Sequence, residues 1–297
     1  MKIIYIPLLT FVSLFIGSNA IAQISAIDNA EKPDKTASFK AGVNYLSNNV
    51  FMGRADTVKT SIILPELKYT FNNGIFISGN INYIPNNKRK KLDGGNIVAG
   101  YDFDITDDLS GGVSVAKLFY SSNSVQIGSS ISSVFNANIN YDIAGIITPA
   151  VSVDYNIIKN GFSNDVFING SLSHDFEKKG VFNDKDLFAI SPTVAINAGT
   201  QNFYDAYVTG RKYKSTAKNQ ALVAKETALL DQRKEQLSHF DVLDYEFSAP
   251  LEYKIGMLIL NFTPTYAITK NKLPSAIAAG LVNGNIFYFE TGATLKF

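Results

Sequence analysis

From residue 38 onward, apolar and polar residues alternate with a period of two, the signature of a strand with two different faces. Phe39, Ala41, Val43 and Tyr45 alternate with Lys40, Gly42 and Asn44. Ile75, Ile77, Gly79, Ile81 and Tyr83 alternate with Phe76, Ser78, Asn80 and Asn82. The same holds for Ile97 to Ile105, for Phe135 to Ile143, and for Leu243, Tyr245, Phe247, Ala249, Leu251 and Tyr253. These runs approach the roughly 9–11 residues that a tilted strand needs to cross a hydrocarbon layer. Strands of soluble proteins are mostly about five or six residues long. The pattern predicts twelve strands, at about 38–46, 59–71, 75–84, 94–105, 109–120, 131–143, 146–156, 165–176, 187–199, 241–253, 257–268 and 285–297. An all-β, up-and-down antiparallel transmembrane barrel follows.

The connections alternate in length. Asn72-Asn73-Gly74, Thr106-Asp107-Asp108, the corner Asp142 to Gly145 and Lys254-Ile255-Gly256 are short, whereas 47–58, 85–93, 157–164, 200–240 and 269–284 are longer. Bacterial barrels have tight periplasmic turns and longer extracellular loops. The stretch 121–130 is only moderately long for a loop, and 177–186 is long for a turn. Tyr45, Tyr69, Tyr83, Tyr141, Tyr253 and Tyr266 fall near strand ends, where ring and hydroxyl suit the lipid–water boundary. Pro65, Pro149, Pro192, Pro250 and Pro264 lie inside strands, and should mark bulges or rims because a ladder tolerates proline badly. Residues 200–240 break the alternation. "KSTAKNQALVAKETALLDQRKEQL" has no Gly or Pro, and Leu222/Leu229 and Leu230/Leu237 are seven apart, so a helical extracellular insertion is predicted at about 215–238. It reads as a solvated flap or as a lid over the barrel mouth.

The first residues change where the barrel belongs. Lys2, the apolar stretch Ile3 to Ile16 and the small–x–small site Ala20-Ile21-Ala22 read as a secretory signal at 1–22, cleaved before Gln23. Residues 23–37 form a flexible N-terminal segment, and 38–297 the barrel. Removing residues 1–22 takes away one charge, Lys2, and leaves basic and acidic residues balanced. A neutral balance provides no field for nucleic acid. Cysteine is absent, which excludes disulfides and thiolate sites. No cofactor is expected. A content of 46% hydrophobic and 18% charged residues is apolar for an exported protein.

The chain ends "FETGATLKF". Together with the signal and the twelve alternating runs, this resembles a Gram-negative outer-membrane β-barrel. In that family the last strand ends in Phe after apolar residues at alternate positions, and the barrel assembly machinery recognises it. The matching residues are Phe297, Leu295, Ala293, Phe289 and Phe287, with polar Thr291 departing from the pattern. The resemblance implies a bacterial outer-membrane location, with lipid and lipopolysaccharide as surroundings. The opening "NYLSNNVFMGRADTVKTSIILPELKYTFNNGIFISGNI" resembles the TorF-type porins at Tyr45, Phe51, Gly53, Arg54, Pro65 and Gly74-Ile75-Phe76. It differs in that Met52 follows the aromatic and the order is Gly53-Arg54. This likeness implies a porin.

The polar faces should line the lumen. Lys40, Glu66, Lys68, Asn80 and Asn82 come from the first three strands. Asp102, Asn138, Asp154 and Asn169 follow in the middle ones, and Asp244, Glu246, Glu252 and Glu290 in the last. Acidic residues outnumber basic ones on these faces, which would favour cations. Twelve strands fall between small filled barrels and open sixteen-stranded porins. The expected function is passive diffusion of small hydrophilic solutes, leaning toward cations, through a monomeric or oligomeric channel. One alternative is a closed barrel that binds a partner. Another is a barrel-embedded lipid hydrolase, for which His174 and His239 are the only histidines and Asp244 with Glu246 the acidic pair. Neither histidine lies in a hydrolase motif, so an enzyme is not expected. The histidines lack metal-ligand spacing, and "DFDITDD" (102–108) lacks the Gly and distal Glu of a calcium loop. "NNKRKK" (86–91) is a basic loop suited to solvent or lipopolysaccharide phosphates.

Overall fold

The computed structural model describes residues 36–87, 90–122, 124–159, 161–204, 234–270, 282 and 284–297. Alternation sends every second side chain to the same side of the sheet. A sheet with one apolar and one polar face can shield the polar face by closing on itself. It does so in twelve antiparallel strands: β1 (Ser38–Leu46), β2 (Ile62–Thr70), β3 (Ile75–Tyr83), β4 (Leu92–Asp104), β5 (Leu109–Tyr120), β6 (Ile131–Tyr141) and β7 (Thr148–Ile158), followed by five more. In three of these five, short interruptions split the strand. β8 comprises Asp165–Ser173 and Phe176–Lys179, β9 Asp186–Ile190 and Thr193–Gly199, and β10 Asp241–Ser248 and Leu251–Ile255. β11 (Leu258–Thr269) and β12 (Ile286–Lys296) complete the wall. Neighbours in sequence are neighbours in the sheet, and β12 pairs with β1 from Lys40↔Lys296 to Leu46↔Glu290, closing the barrel. The twelve predicted strands are all present, with ends displaced by a few residues.

Outside and inside differ as the pattern requires. In β2, Leu67 is 56% exposed while the adjacent Glu66 is 6% exposed. Val43, Ile77, Ile97, Val151, Leu172 and Leu260 share the outer face with Leu67. The outer face is therefore apolar and the inner face polar, the arrangement of a transmembrane barrel and the reverse of a soluble one. Tyrosines mark both ends of this face. Near the loop end, the hydroxyl of Tyr45 donates to Ser61 Oγ (3.1 Å), while those of Tyr155 and Tyr266 accept from Asn164 and Asn285 (2.8 and 3.0 Å). Tyr69, Tyr101 and Tyr141 stand near the turn end. Tyr253 differs, donating to the buried carboxylate of Asp186 (2.9 Å).

The turns follow local chemistry. In Asn72-Asn73-Gly74, Phe71 N donates to Ile75 O (2.7 Å) and Gly74 adopts φ 86°. A Cβ on Gly74 would stand 2.2 Å from the backbone oxygen of Asp102 in the neighbouring strand. Gly74→Ala combines that clash with a left-handed conformation costing roughly 1–2 kcal/mol. It is expected to lower the urea midpoint of the refolded barrel in lipid vesicles, and an unchanged midpoint would refute this account. The connection 177–186 is shorter than the pattern implied, because β8 and β9 stay paired to Lys179↔Leu187. Asp186 holds the remaining turn by accepting from the backbone of Val181, Phe182 and Asn183 at 2.8–2.9 Å.

The prolines are distributed differently from the expectation of bulges or rims. Only Pro149 sits at a strand end. Pairing from β2 to β3 skips Leu64 and Pro65 without a change of register. Pro192 and Pro250 occupy the interruptions of β9 and β10, and the carbonyl of Pro264 in β11 accepts from Ala249 (3.2 Å). Three prolines thus gather in one seam across β9 to β11, where each missing N–H falls in an already opened part of the ladder.

Candidate functional site

The site is the barrel interior, built from the polar strand faces and from loops that fold inward. Lys40, Glu66, Lys68, Asn80, Asn82, Asp154, Asn169, Asp244, Glu246 and Glu290 are all buried, on the face opposite the apolar belt. Asp102, Asn138 and Glu252 occupy the same face and are half-buried. Hydrogen bonds join several across neighbouring strands: Asn96 Nδ2 to Asn80 (3.0 Å), Asn136 Nδ2 to Asp154 (2.7 Å) and Asn197 Nδ2 to Asp244 (2.6 Å). Tyr288 donates to Glu246 at 3.1 Å, and the Lys68 ammonium stands 3.9 Å from the centre of the Phe76 ring. Phe289, Leu295 and Phe297 lie on β12 or at its end, where Phe297 exchanges backbone hydrogen bonds with Phe39 (3.1 and 2.8 Å).

The loop-end third of the interior is apolar, which the alternation did not disclose. Leu46, Leu64, Leu118, Val134, Ile158 and Phe167 point inward near the strand ends, and Val98 from farther along its strand. Leu243 joins them, although simple alternation places it outside with Tyr245. A register shift between Asn197 and Ala198 adds a residue to β10, so that Leu243 and Asp244 are both fully buried. The available sequence signal was the apolar doublets, such as Ile62-Ile63, Ile157-Ile158 and Phe167-Ile168, which serve both faces at once.

A hairpin in the first loop fills this apolar mouth. Val50–Phe51 pairs with Arg54–Ala55, and the turn residues Met52 (φ 49°) and Gly53 (φ 66°) are both left-handed, as a two-residue hairpin turn demands. The hairpin crosses the interior. Val50 and Ala55 pack with Leu46, Ile62, Leu64 and Ile286 on one side. On the other side Phe51 meets Phe203 and Phe167 edge-on, at ring distances of 4.7 and 5.7 Å. Gly53 lies so close to β10 that a Cβ would stand 2.6 Å from Cβ of Asp244, and its carbonyl accepts from Thr269 Oγ1 (2.7 Å). Arg54 donates to Gln201 and carries its charge next to Asp244. Burial pushes the Arg54 guanidinium down to about 10, against the opposing pull of Tyr204 and Asp244, so it remains cationic at neutral pH.

Two further loops turn inward, each tied by an aspartate that sequence reading passed over. Asp93 accepts from Ser121 Oγ (3.0 Å), Ser124 Oγ (2.5 Å) and Gln126 Nε2 (2.8 Å), drawing 124–130 over the mouth. Ile127 N then donates to Asn49 of the hairpin loop at 3.2 Å. Asp165 accepts from Thr200 Oγ1 (2.6 Å) and from the backbone of Asn202 and Phe203 (both 2.7 Å), which delivers Phe203 against Phe51. Leu237, in a helical stretch at 234–238, packs into the same cluster. The rest of the predicted helix at 215–238 lies outside the described residues, as do the signal at 1–22 and most of 23–37. His174 sits past Ser173 toward the turn end, its ring against Phe176 and the Ile146 carbonyl, whereas His239 precedes β10 at the loop end. The structure does not bring the two histidines together.

No protein-family model and no curated protein matches the chain. Its likeness to TorF-type porins therefore rests on the opening segment alone. Solved structures with a similar course include a KdgM porin, 10% identical over 88% of this chain and 99% of that one, with a TM-score of 0.46. A bacterial polysaccharide outer membrane secretin is 8% identical over 89% and 99%, at 0.44. LpxR from Salmonella typhimurium is 8% identical over 86% and 99%, at 0.40. These numbers describe a shared outline.

Proposed function

We propose that the protein is a narrow outer-membrane channel for small hydrophilic solutes, held closed at its extracellular mouth by the first-loop hairpin. One observation carries this reading: the interior holds polar groups that lack any protein partner. Both amide atoms of Asn44 and Asn156, Oγ of Ser152 and Ser171, and Oε1 of Glu290 are buried in this way. Buried polar atoms are normally hydrogen-bonded, so these are matched to water or to a polar solute passing through. A merely structural barrel would be more stable with an apolar filling. The carboxylates of Glu66, Asp154, Asp244, Glu246 and Glu290 outweigh Lys40, Lys68 and Arg54, which supports a preference for cations. The long loops and the tyrosines at both ends of the apolar outer face support placement in a bacterial outer membrane.

A closed barrel that presents its loops to a partner is the second reading, favoured by the near-complete shielding of the interior side chains. The full-length protein in planar bilayers separates the two. The channel predicts conductance steps, with reversal potentials favouring potassium over chloride in a KCl gradient. Absence of steps, with the hairpin intact and with it displaced, would overturn the channel.

A further inference from the structure

Within this lumen the wall from β6 to β9 has a chemistry of its own. Asn138↔Ser152, Ser152↔Asn169 and Asn169↔Asn197 are directly opposed pairs, so these four side chains form one continuous row across four strands. The row ends on Asp244 of β10, opposite Asn197. Its bonds run one way: Asn169 Nδ2 donates to Asn197 Oδ1 (2.7 Å), and Asn197 Nδ2 donates to Asp244 Oδ1 (2.6 Å). A parallel relay runs from Asn138 Nδ2 to Asn136 (3.2 Å) and from Asn136 Nδ2 to Asp154 (2.7 Å). Each amide is fixed by its donated proton. What is left facing the interior between the relays is neutral and unpartnered: Oδ1 of Asn169 and Oγ of Ser152, on residues 2% and 3% exposed, with Oγ of Ser171 beside them.

We infer that this row is a binding strip for uncharged, multiply hydroxylated solutes of the sugar or polyol class. The inference deepens the channel reading and rests on the same lumen. Hydroxyl groups both donate and accept, so they can match the buried, unpartnered amide oxygen of Asn169 and the hydroxyls of Ser152 and Ser171. Adjacent strands repeat about every 4.8 Å, so a solute with several hydroxyls can touch neighbouring members of the row together. A cation would instead be drawn to the carboxylates that flank the row, Asp154 and Asp244, and not to the neutral amide and hydroxyl atoms between them. Phe167, opposite Asp154 and next but one to Asn169, closes the loop-side edge of the strip with an aromatic ring packed against Phe51 and Phe203. Few polar groups fixed in place beside an aromatic ring are what small-molecule sites generally offer.

Calorimetry on the folded full-length protein in detergent tests this without requiring conduction, with glucose, sucrose and raffinose as a size series and sodium chloride as the competitor. At least one sugar should bind saturably. Asn169→Ala and Ser152→Ala should each weaken that binding about five-fold, the loss of one hydrogen bond to a neutral group. Asn169→Gln, which keeps the amide, should recover part of it. Saturable binding of none of the three sugars would overturn the strip. So would binding that ignores both alanine variants, or a saturable salt signal that sugar does not displace. Sugar binding without conductance steps in bilayers, with the hairpin intact and with it displaced, would sustain the strip and overturn the channel, so the two readings fail separately.

Discussion

Phe51→Ala should raise the single-channel conductance of the reconstituted barrel severalfold, and removal of residues 49–57 with a short Gly-Ser bridge should raise it further. Phe51 is fully buried across the mouth, held edge-on by Phe203 and Phe167. Truncating a buried phenylalanine costs about 3–5 kcal/mol where the cavity cannot collapse. Here that cost falls on docking of the hairpin, since Phe51 belongs to the plug and not to the strand ladder. About 3 kcal/mol shifts a docked-to-undocked ratio on the order of a hundredfold. The barrel itself should persist, read as an unchanged far-ultraviolet spectrum and an unchanged shift between folded and unfolded bands on gels. Phe203→Ala should act in the same direction, because Phe203 meets the same ring from a separately anchored loop. Conductance equal to that of the unaltered protein in all three variants would show that the hairpin does not close the path.

The strands were legible because a membrane wall imposes a simple rule on every second residue. Leu67 must face lipid and Glu66 must not, so the side of the wall each residue takes follows from the period. The plug was not legible for the opposite reason. Val50, Phe51 and Met52 read as an apolar tip of an extracellular loop, and only the walls they meet, Leu243 and Phe167 among them, make the interior their place. Arg54 could be assigned to a turn, but its burial near Asp244 depends on two segments far apart in sequence. Asp93 and Asp165 show the same limitation. Each begins an ordinary strand, and its role becomes visible only when the loop it ties is seen to bend inward. The β10 shift that buries Leu243 is a single added residue, invisible to a pattern that counts in twos. Of the lining, the polar faces could therefore be named in advance, whereas the apolar mouth and its closure could not.

Arg54→Met is expected to loosen the plug by about 3–5 kcal/mol, as much as Phe51→Ala, the cost of leaving a buried charge without its partner. The charge left behind is Asp244, fully buried, whose Oδ1 accepts from Asn197 and whose Oδ2 has no hydrogen-bond partner. The loss of the Arg54 bond to Gln201 adds to this. Asp244→Asn alone should also destabilise, by leaving the guanidinium in an apolar mouth. The double variant Arg54→Met/Asp244→Asn removes both charges and should recover much of the loss, so the cycle yields a coupling energy instead of two separate truncation costs. Urea unfolding of the refolded protein in lipid vesicles measures it. Both single variants should also raise the conductance, because Arg54 of the hairpin carries its charge beside Asp244 of β10, and the double variant should lie between them and the unaltered protein. Additive losses in the cycle would show that Arg54 and Asp244 act independently. The hairpin would then be held by its aromatic packing alone, and the charge pair would have no part in closing the mouth.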